Sequence, residues 1–176
     1  TSTAILYSYF KSQGMDISYR LPVGEDAYGL SIAAIDDFAK NYGSLIITVD
    51  CGISNIKEID YANSLGIDVI VTDHHEPLEE LPEALAVIDC KRADSTYKFR
   101  ELCGCGVAFK IIQALTPKEE FKYTMNNYLE IATLATICDI VPLVDENRII
   151  VKNGLKLMKE GCNLGLRELI RICGVE

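Results

Sequence analysis

Two short apolar runs, each followed by an aspartate, place the strongest constraint on the fold of this chain. Residues 45–49 are Leu-Ile-Ile-Thr-Val and precede Asp50, and residues 68–72 are Asp-Val-Ile-Val-Thr and precede Asp73. Near-continuous apolar runs of this kind are typical of strands that are buried on both faces of a parallel sheet. A helical pattern at residues 55–64, ended by Gly66, lies between them. The sequence therefore predicts a strand–helix–strand crossover.

The remaining elements extend this pattern. A third buried strand is predicted at residues 86–89, and alternating apolar residues predict a further short strand at residues 16–21, before Pro22. Other helices are predicted over residues 4–13, 32–41, 106–115, 118–136, 147–161 and 165–173. The predicted fold class is α/β: a doubly wound, mainly parallel sheet flanked by helices, with a helical C-terminal portion.

Composition restricts the function classes. Hydrophobic residues make up 49% of the 176 residues, which is enough for a packed core and excludes intrinsic disorder. There are 26 acidic and 17 basic residues, a net charge of −9, which argues against a chain that holds phosphate backbones by electrostatics alone. No apolar run approaches the ~20 residues that a membrane span needs, and no signal peptide is visible. These features favour a cytosolic enzyme with a carboxylate-rich site.

The seven cysteines are interpreted as reduced thiols. Their number is odd, no pair has Cys-x-x-Cys spacing, and no histidine follows in a zinc-finger pattern. A disulfide framework would be expected in a small secreted chain with an even count. The prediction is therefore a cytoplasmic protein whose cysteines are mostly small core residues.

The two histidines of the chain are adjacent, and they follow Asp73 at the end of a predicted strand. Ligands bind open α/β sheets outside the carboxyl ends of the strands, so Asp50, His74 and His75 are expected at one edge. Carboxylates and imidazoles suit Mn²⁺ or Mg²⁺, and a pair of such ions can support phosphoryl hydrolysis. The alternative is that Asp50 or Asp73 simply caps a helix.

A third acidic residue, Asp139, is the one charge in an otherwise apolar stretch, residues 135–143. A buried lone carboxylate is costly unless it is paired or binds a metal ion. The alternative places Asp139 exposed on a turn before Pro142.

Several stretches resemble motifs of the DHH phosphoesterase superfamily, in its order. They are Val-Asp-Cys-Gly (49–52), Val-Thr-Asp-His-His-Glu-Pro (71–77) and Thr-Ile-Cys-Asp-Ile-Val-Pro-Leu (136–143). Within that superfamily, four more stretches are similar to RecJ-type exonucleases. These are Ala-Tyr-Gly-Leu-Ser (27–31), Asp-Ser-Thr-Tyr (94–97), Leu-Cys-Gly-Cys-Gly-Val-Ala-Phe-Lys (102–110) and Gly-Leu (165–166).

The resemblance implies a role for each matching residue. It implies metal ligation by Asp50, His74 and Asp139. His75 is implied to lie beside the scissile phosphate, and Asp73 to orient a histidine; these two are the predicted catalytic residues.

The glycines of residues 102–110 are predicted to open a helix. Backbone N–H groups at Gly104 and Gly106 would then bind substrate phosphate. The alternative is that these glycines only form a tight turn into the helix.

The resemblance also implies a function for the parent protein. That function is hydrolysis of single-stranded DNA from its 5′ end with Mn²⁺ or Mg²⁺, in DNA repair and recombination. The family's Asp-x-Asp-x-Asp-Gly motif is absent, since Thr1 stands where that motif has just ended. Residues 1–176 are thus expected to be one DHH domain, truncated at both ends and inactive alone. The arginine that usually follows the proline of the loop before residues 27–31 is also absent at Pro22-Val23. Two alternatives remain: a phosphatase of short oligonucleotides or phosphonucleotides, and a non-catalytic binding module of the same fold.

Overall fold

The computed structural model describes residues 1–23, 28–161 and 163–174. In these ranges the chain forms a three-stranded sheet and helices on both of its faces. The helices are α1 (Ser2–Ser12), α2 (Ile32–Lys40), α3 (Ile56–Ser64), α4 (Gly104–Leu115), α5 (Phe121–Cys138), α6 (Asp145–Gly161) and α7 (Leu164–Ile172). The strands are β1 (Leu45–Val49), β2 (Asp68–Asp73) and β3 (Ala86–Asp89).

The sheet is parallel, with strand order β1-β2-β3. Because strand side chains alternate between faces, β1 contributes to two cores. Ile47 and Val49 pack against the hydrophobic cluster built from α1, α4 and α5. Ile46, Val69 and Val71 pack on the other face with residues of α2 and α3. This confirms the predicted parallel α/β sheet flanked by helices.

The predicted strand at residues 16–21 is wrong, because these residues form no strand in the structure. A strand requires a hydrogen-bonded neighbour, and the described ladder contains only β1, β2 and β3. The side chains of Tyr19 and Leu21 are exposed rather than packed in a core. Alternation of apolar residues was therefore not sufficient to form a strand here.

The helix predictions hold, with shifts of two or three residues at several ends. Ser31 caps α2 as its type suggests, since its Oγ accepts a hydrogen bond from the Ala34 N–H at 3.3 Å. The α4 helix begins at Gly104, two residues earlier than predicted. Lys118, at the predicted start of α5, lies instead in a turn before that helix.

The six described cysteines are free thiols, as predicted. The seventh, Cys162, lies outside the described residues, as does Ala27 of the motif at residues 27–31. Across the described ranges, no helix combines the length and apolar content needed to cross a bilayer.

Candidate metal centre

The carboxyl ends of β1 and β2 bring two groups of polar side chains to one edge of the sheet. Asp50 follows β1, and His74 and His75 follow Asp73, the last residue of β2. Asp50 has a left-handed backbone with φ of 64°, a conformation in which aspartate is over-represented among non-glycine residues. Its N–H donates to the Thr72 carbonyl at 2.9 Å, so the turn after β1 is tied to β2.

His74 lies at the centre of this edge. Its Nε2 is 3.1 Å from Asp50 Oδ1 and 3.7 Å from Asp139 Oδ2. The residue is only 8% exposed. The structure thus brings together the three side chains that were predicted to be metal ligands.

The carboxylates around His74 determine its protonation. Burial lowers the pKa of this imidazole, but the hydrogen bond to Asp50 and the negative charges of Asp50, Asp139 and Asp73 outweigh burial and raise the pKa. The carboxylates around His74 therefore favour a positive charge at this position. A bound cation would meet the same negative surroundings.

Asp73 is buried and accepts hydrogen bonds from four donors. Its Oδ1 accepts from the His74 N–H (2.8 Å), the His75 N–H (3.3 Å) and the His75 ring, whose Nδ1 lies 2.7 Å away. Its Oδ2 accepts from the Ile53 N–H at 3.0 Å. These contacts fix the loop after β2. Because Nδ1 of His75 is engaged by Asp73, Nε2 is the ring nitrogen that can contact a group outside this network.

His75 belongs to the same cluster of donors. One ligand atom each of Asp50, His74 and His75 can be chosen so that all three lie within 4.8 Å of one another. The two imidazole rings have a centroid distance of 4.4 Å. His75 was predicted beside the scissile phosphate, and its position also brings it into the group of residues that can hold an ion.

A helix, rather than a strand, positions Asp139 at this edge. It caps the C-terminal end of α5, and its N–H donates to the Ala135 carbonyl at 2.9 Å. Its side chain is 42% exposed, so it is not the fully buried carboxylate that its apolar neighbours suggested. The exposed-turn alternative thus describes its surroundings correctly, while its carboxylate still faces His74.

Gly104 and Gly106 lie at the first turn of α4, where the structure gives each a local role. A β-carbon at Gly104 would collide with the Asp50 carboxylate, so glycine here permits that side chain to approach. The Gly106 N–H donates to Cys103 Sγ at 3.2 Å, which caps the helix. The predicted binding of phosphate by these glycines stays a prediction.

Two residues at this edge were not predicted from the residue pattern. Tyr28 donates its hydroxyl to the Asp50 carbonyl at 2.6 Å. Asp89 ends β3, pairs in register with Asp73 and is buried, and burial raises the pKa of its carboxyl group. The signal for Asp89 was present, because it ends a strand as Asp73 does. For Tyr28, the only sequence signal was its position in the motif at residues 27–31.

Comparison with known proteins identifies the family. The model of the DHH family, N-terminal domain, matches residues 1–136. The chain belongs to the DHH family. RecJ of Bacillus subtilis (strain 168), named as a single-stranded-DNA-specific exonuclease, is 39% identical over 175 residues, which are 99% of this chain and 22% of that protein. RecJ of Escherichia coli (strain K12) is 36% identical over 185 residues, covering 98% of this chain and 32% of the relative.

Two solved RecJ structures share the fold of this DHH chain. Exonuclease RecJ bound to manganese aligns with a TM-score of 0.83 and 32% identity over 98% of this chain and 44% of that one. RecJ of Thermus thermophilus in complex with Mn²⁺ aligns with a TM-score of 0.79 and 31% identity, over 99% and 25% of the two chains. The chain thus spans about a fifth to a third of the length of these curated RecJ proteins.

The donors at the sheet edge fit a hard or borderline divalent cation. Carboxylate oxygens and imidazole nitrogens are the ligands that Mn²⁺ accepts in proteins. Cys51 is the cysteine next to Asp50, and burial raises the pKa of its thiol to about 11, so it stays protonated at neutral pH and is a poor ligand. This donor set therefore favours manganese or magnesium over structural zinc.

Proposed function

We propose that the protein containing this chain is a RecJ-like exonuclease that degrades single-stranded DNA from its 5′ end. The observation that carries the proposal is the convergence of Asp50, His74 and Asp139 at one sheet edge, within a fold shared with manganese-bound RecJ. We further propose that residues 1–176 form the DHH domain of that enzyme, and that the enzyme acts in the cytoplasm, in DNA repair and recombination.

Each side chain of the site has a proposed task. Asp50, His74 and Asp139 hold a Mn²⁺ or Mg²⁺ ion, with His75 close enough to assist. Such ions supply charge neutralisation at phosphate and activation of water in phosphodiester hydrolysis. Asp73 fixes the imidazole of His75 through Nδ1, which allows Nε2 to contact a phosphate oxygen.

The two glycines at the start of α4 are proposed as a phosphate contact. The Gly106 N–H is engaged by Cys103, so this task rests mainly on the N–H group of Gly104. The positive end of the α4 dipole would support it.

The test is digestion of single-stranded DNA by the protein expressed from its complete reading frame. Oligonucleotides labelled at either end should lose mononucleotides from the 5′ end, and only when Mn²⁺ or Mg²⁺ is present. Asp50→Asn should reduce the rate by about a hundredfold or more, because it removes a proposed metal ligand. Asp68→Asn is the matched control, since Asp68 begins the strand that Asp73 ends, roughly 17 Å away.

Other outcomes would replace the proposal. Cleavage of short oligonucleotides or phosphonucleotides alone would identify a phosphatase of the same family. DNA binding without metal-dependent cleavage would identify a non-catalytic module. Equal activity of the Asp50→Asn and Asp68→Asn variants would show that the sheet edge is not the active site.

A further inference from the structure

Tyr28 places a largely exposed aromatic ring at the rim of the candidate metal centre. The residue is 73% exposed, yet its hydroxyl donates to the Asp50 carbonyl at 2.6 Å. The ring is therefore held at a defined position beside Asp50, although most of its surface contacts solvent. An exposed ring that is already held in place loses little conformational entropy when a ligand stacks on it.

The ring also contacts the histidine that is proposed to face the phosphate. The centroids of the Tyr28 and His75 rings are 6.0 Å apart, and the ring planes are at 88°. His75 is in turn fixed by Asp73. The base of a nucleotide whose phosphate contacts His75 would therefore be within reach of the Tyr28 ring.

We infer that Tyr28 is a stacking platform for a nucleobase of single-stranded DNA at this site. The inference rests on the proposed function and extends it to the recognition of the base. Aromatic stacking tolerates any base, because every base has a π-face. It is also a contact that does not depend on positive charge, which matters for a chain of net charge −9.

Three substitutions in the complete protein distinguish a stacking role of Tyr28 from a role of its hydrogen bond. Tyr28→Phe keeps the ring and removes the hydroxyl, Tyr28→Trp enlarges the ring, and Tyr28→Leu removes stacking but keeps an apolar side chain. Tyr28→Leu should raise KM for a single-stranded oligonucleotide at least about fivefold, whereas Tyr28→Phe, which keeps the stacking face and loses only the hydrogen bond that positions it, should raise KM clearly less than Tyr28→Leu does. Tyr28→Trp should likewise raise KM less than Tyr28→Leu does, because it also keeps an aromatic face.

Tyr123→Leu is the matched control. Tyr123 is 76% exposed and lies near the start of α5, roughly 24 Å along the helix axis from Asp139 at its end. This substitution should leave KM within about twofold of the wild type, because an exposed tyrosine far from the site has no base to stack on.

An oligonucleotide with single abasic positions provides a readout that a structural role would not affect. For the wild type, removing the base that stacks on Tyr28 should raise KM about as much as Tyr28→Leu does. In Tyr28→Leu the same removal should have little further effect, because the two changes delete one contact. No position among the first few nucleotides should show this coupling with Tyr123→Leu.

The outcomes distinguish this inference from the proposed function. If the wild type cleaves DNA but Tyr28→Phe and Tyr28→Leu lose activity equally, Tyr28 acts through its hydrogen bond to Asp50 and the stacking inference is wrong. Cleavage with no coupling to any base would also overturn it while leaving the proposed function intact. A wild-type protein that neither binds nor cleaves DNA would overturn both.

Discussion

At the scale of single residues, the site depends on a contact between a strand end and a helix start. The Asp50 carboxylate occupies the space that a β-carbon of Gly104 would need, and the Asp50 Cβ lies 2.7 Å from that position. A carboxylate at the N-terminus of α4 is also stabilised by the positive end of the helix dipole. The sequence identified both residues as candidate site residues, but it could not show that they are in contact. That contact depends on how α4 packs against the sheet.

Gly104→Ala is expected to displace Asp50 and weaken Mn²⁺ binding by about tenfold or more, because misplaced ligands bind a metal ion less tightly. Gly106→Ala is the control from the same helical turn. There a β-carbon would meet Leu102 Cδ2 at 3.3 Å, a tight contact with the end of a flexible side chain. Titration calorimetry measures the Mn²⁺ affinity of both variants. Equal affinities would show that Gly104 is not required for the position of Asp50.

At the scale of elements, the sequence predicted the strands and helices that local residue patterns determine. It missed the features that depend on contacts between elements. The apolar runs before Asp50 and Asp73 gave β1 and β2 almost to the residue, because strands buried on both faces have a distinctive composition. Residues 16–21 have an alternating pattern, yet they form no strand, since hydrogen bonding to a neighbour is a tertiary property. The close packing of α5 on α6 was likewise invisible in the helical periodicity of each.

Gly154→Ala tests the packing of these two helices. A β-carbon at Gly154 would collide with Thr133 Oγ1 and would lie 3.1 Å from the Leu129 carbonyl oxygen. Overpacking of this kind should lower the free energy of unfolding by about 1–3 kcal/mol. Thr133 also donates to the Ile150 carbonyl at 3.1 Å, a bond that the displaced side chain would lose.

Gly165→Ala is the control for helix propensity. A β-carbon there would meet only Asn163 Oδ1, at 3.5 Å, so the substitution should be neutral or stabilise the chain by up to about 1 kcal/mol. Urea unfolding of the two variants gives the comparison. A Gly154→Ala chain as stable as the Gly165→Ala chain would mean that the contact between α5 and α6 accommodates the extra carbon without cost.

At the scale of the whole molecule, the candidate site joins two parts of the chain. Asp50, His74 and His75 come from the parallel sheet, whereas Asp139 comes from the end of a helix much later in the sequence. Residue types and strand ends were enough to predict that Asp50 and the histidines share an edge. The arrival of Asp139 at the same edge rested on family resemblance, because no periodicity gives the direction of α5 relative to the sheet.

The 176 residues on their own should be a weak metal binder and a poor nuclease. Asp50, His74, His75 and Asp139 provide enough donors to hold one ion loosely, whereas a two-ion site requires more ligands. The net charge of −9 also opposes binding of a polyanion. We therefore expect this chain to bind Mn²⁺ more weakly than the protein from the complete reading frame, and to cleave little or no DNA.

Calorimetry with Mn²⁺ and digestion of labelled single-stranded DNA, carried out on both proteins side by side, measure this difference. The His74→Ala variant of each protein is the control, because it removes the side chain at the centre of the donor cluster. Cleavage by the complete protein alone would show that the remaining ligands and the DNA-binding surface lie outside these 176 residues. Strong cleavage by the 176-residue chain, lost in its His74→Ala variant, would show instead that the four side chains suffice, and the requirement for further ligands would have to be abandoned.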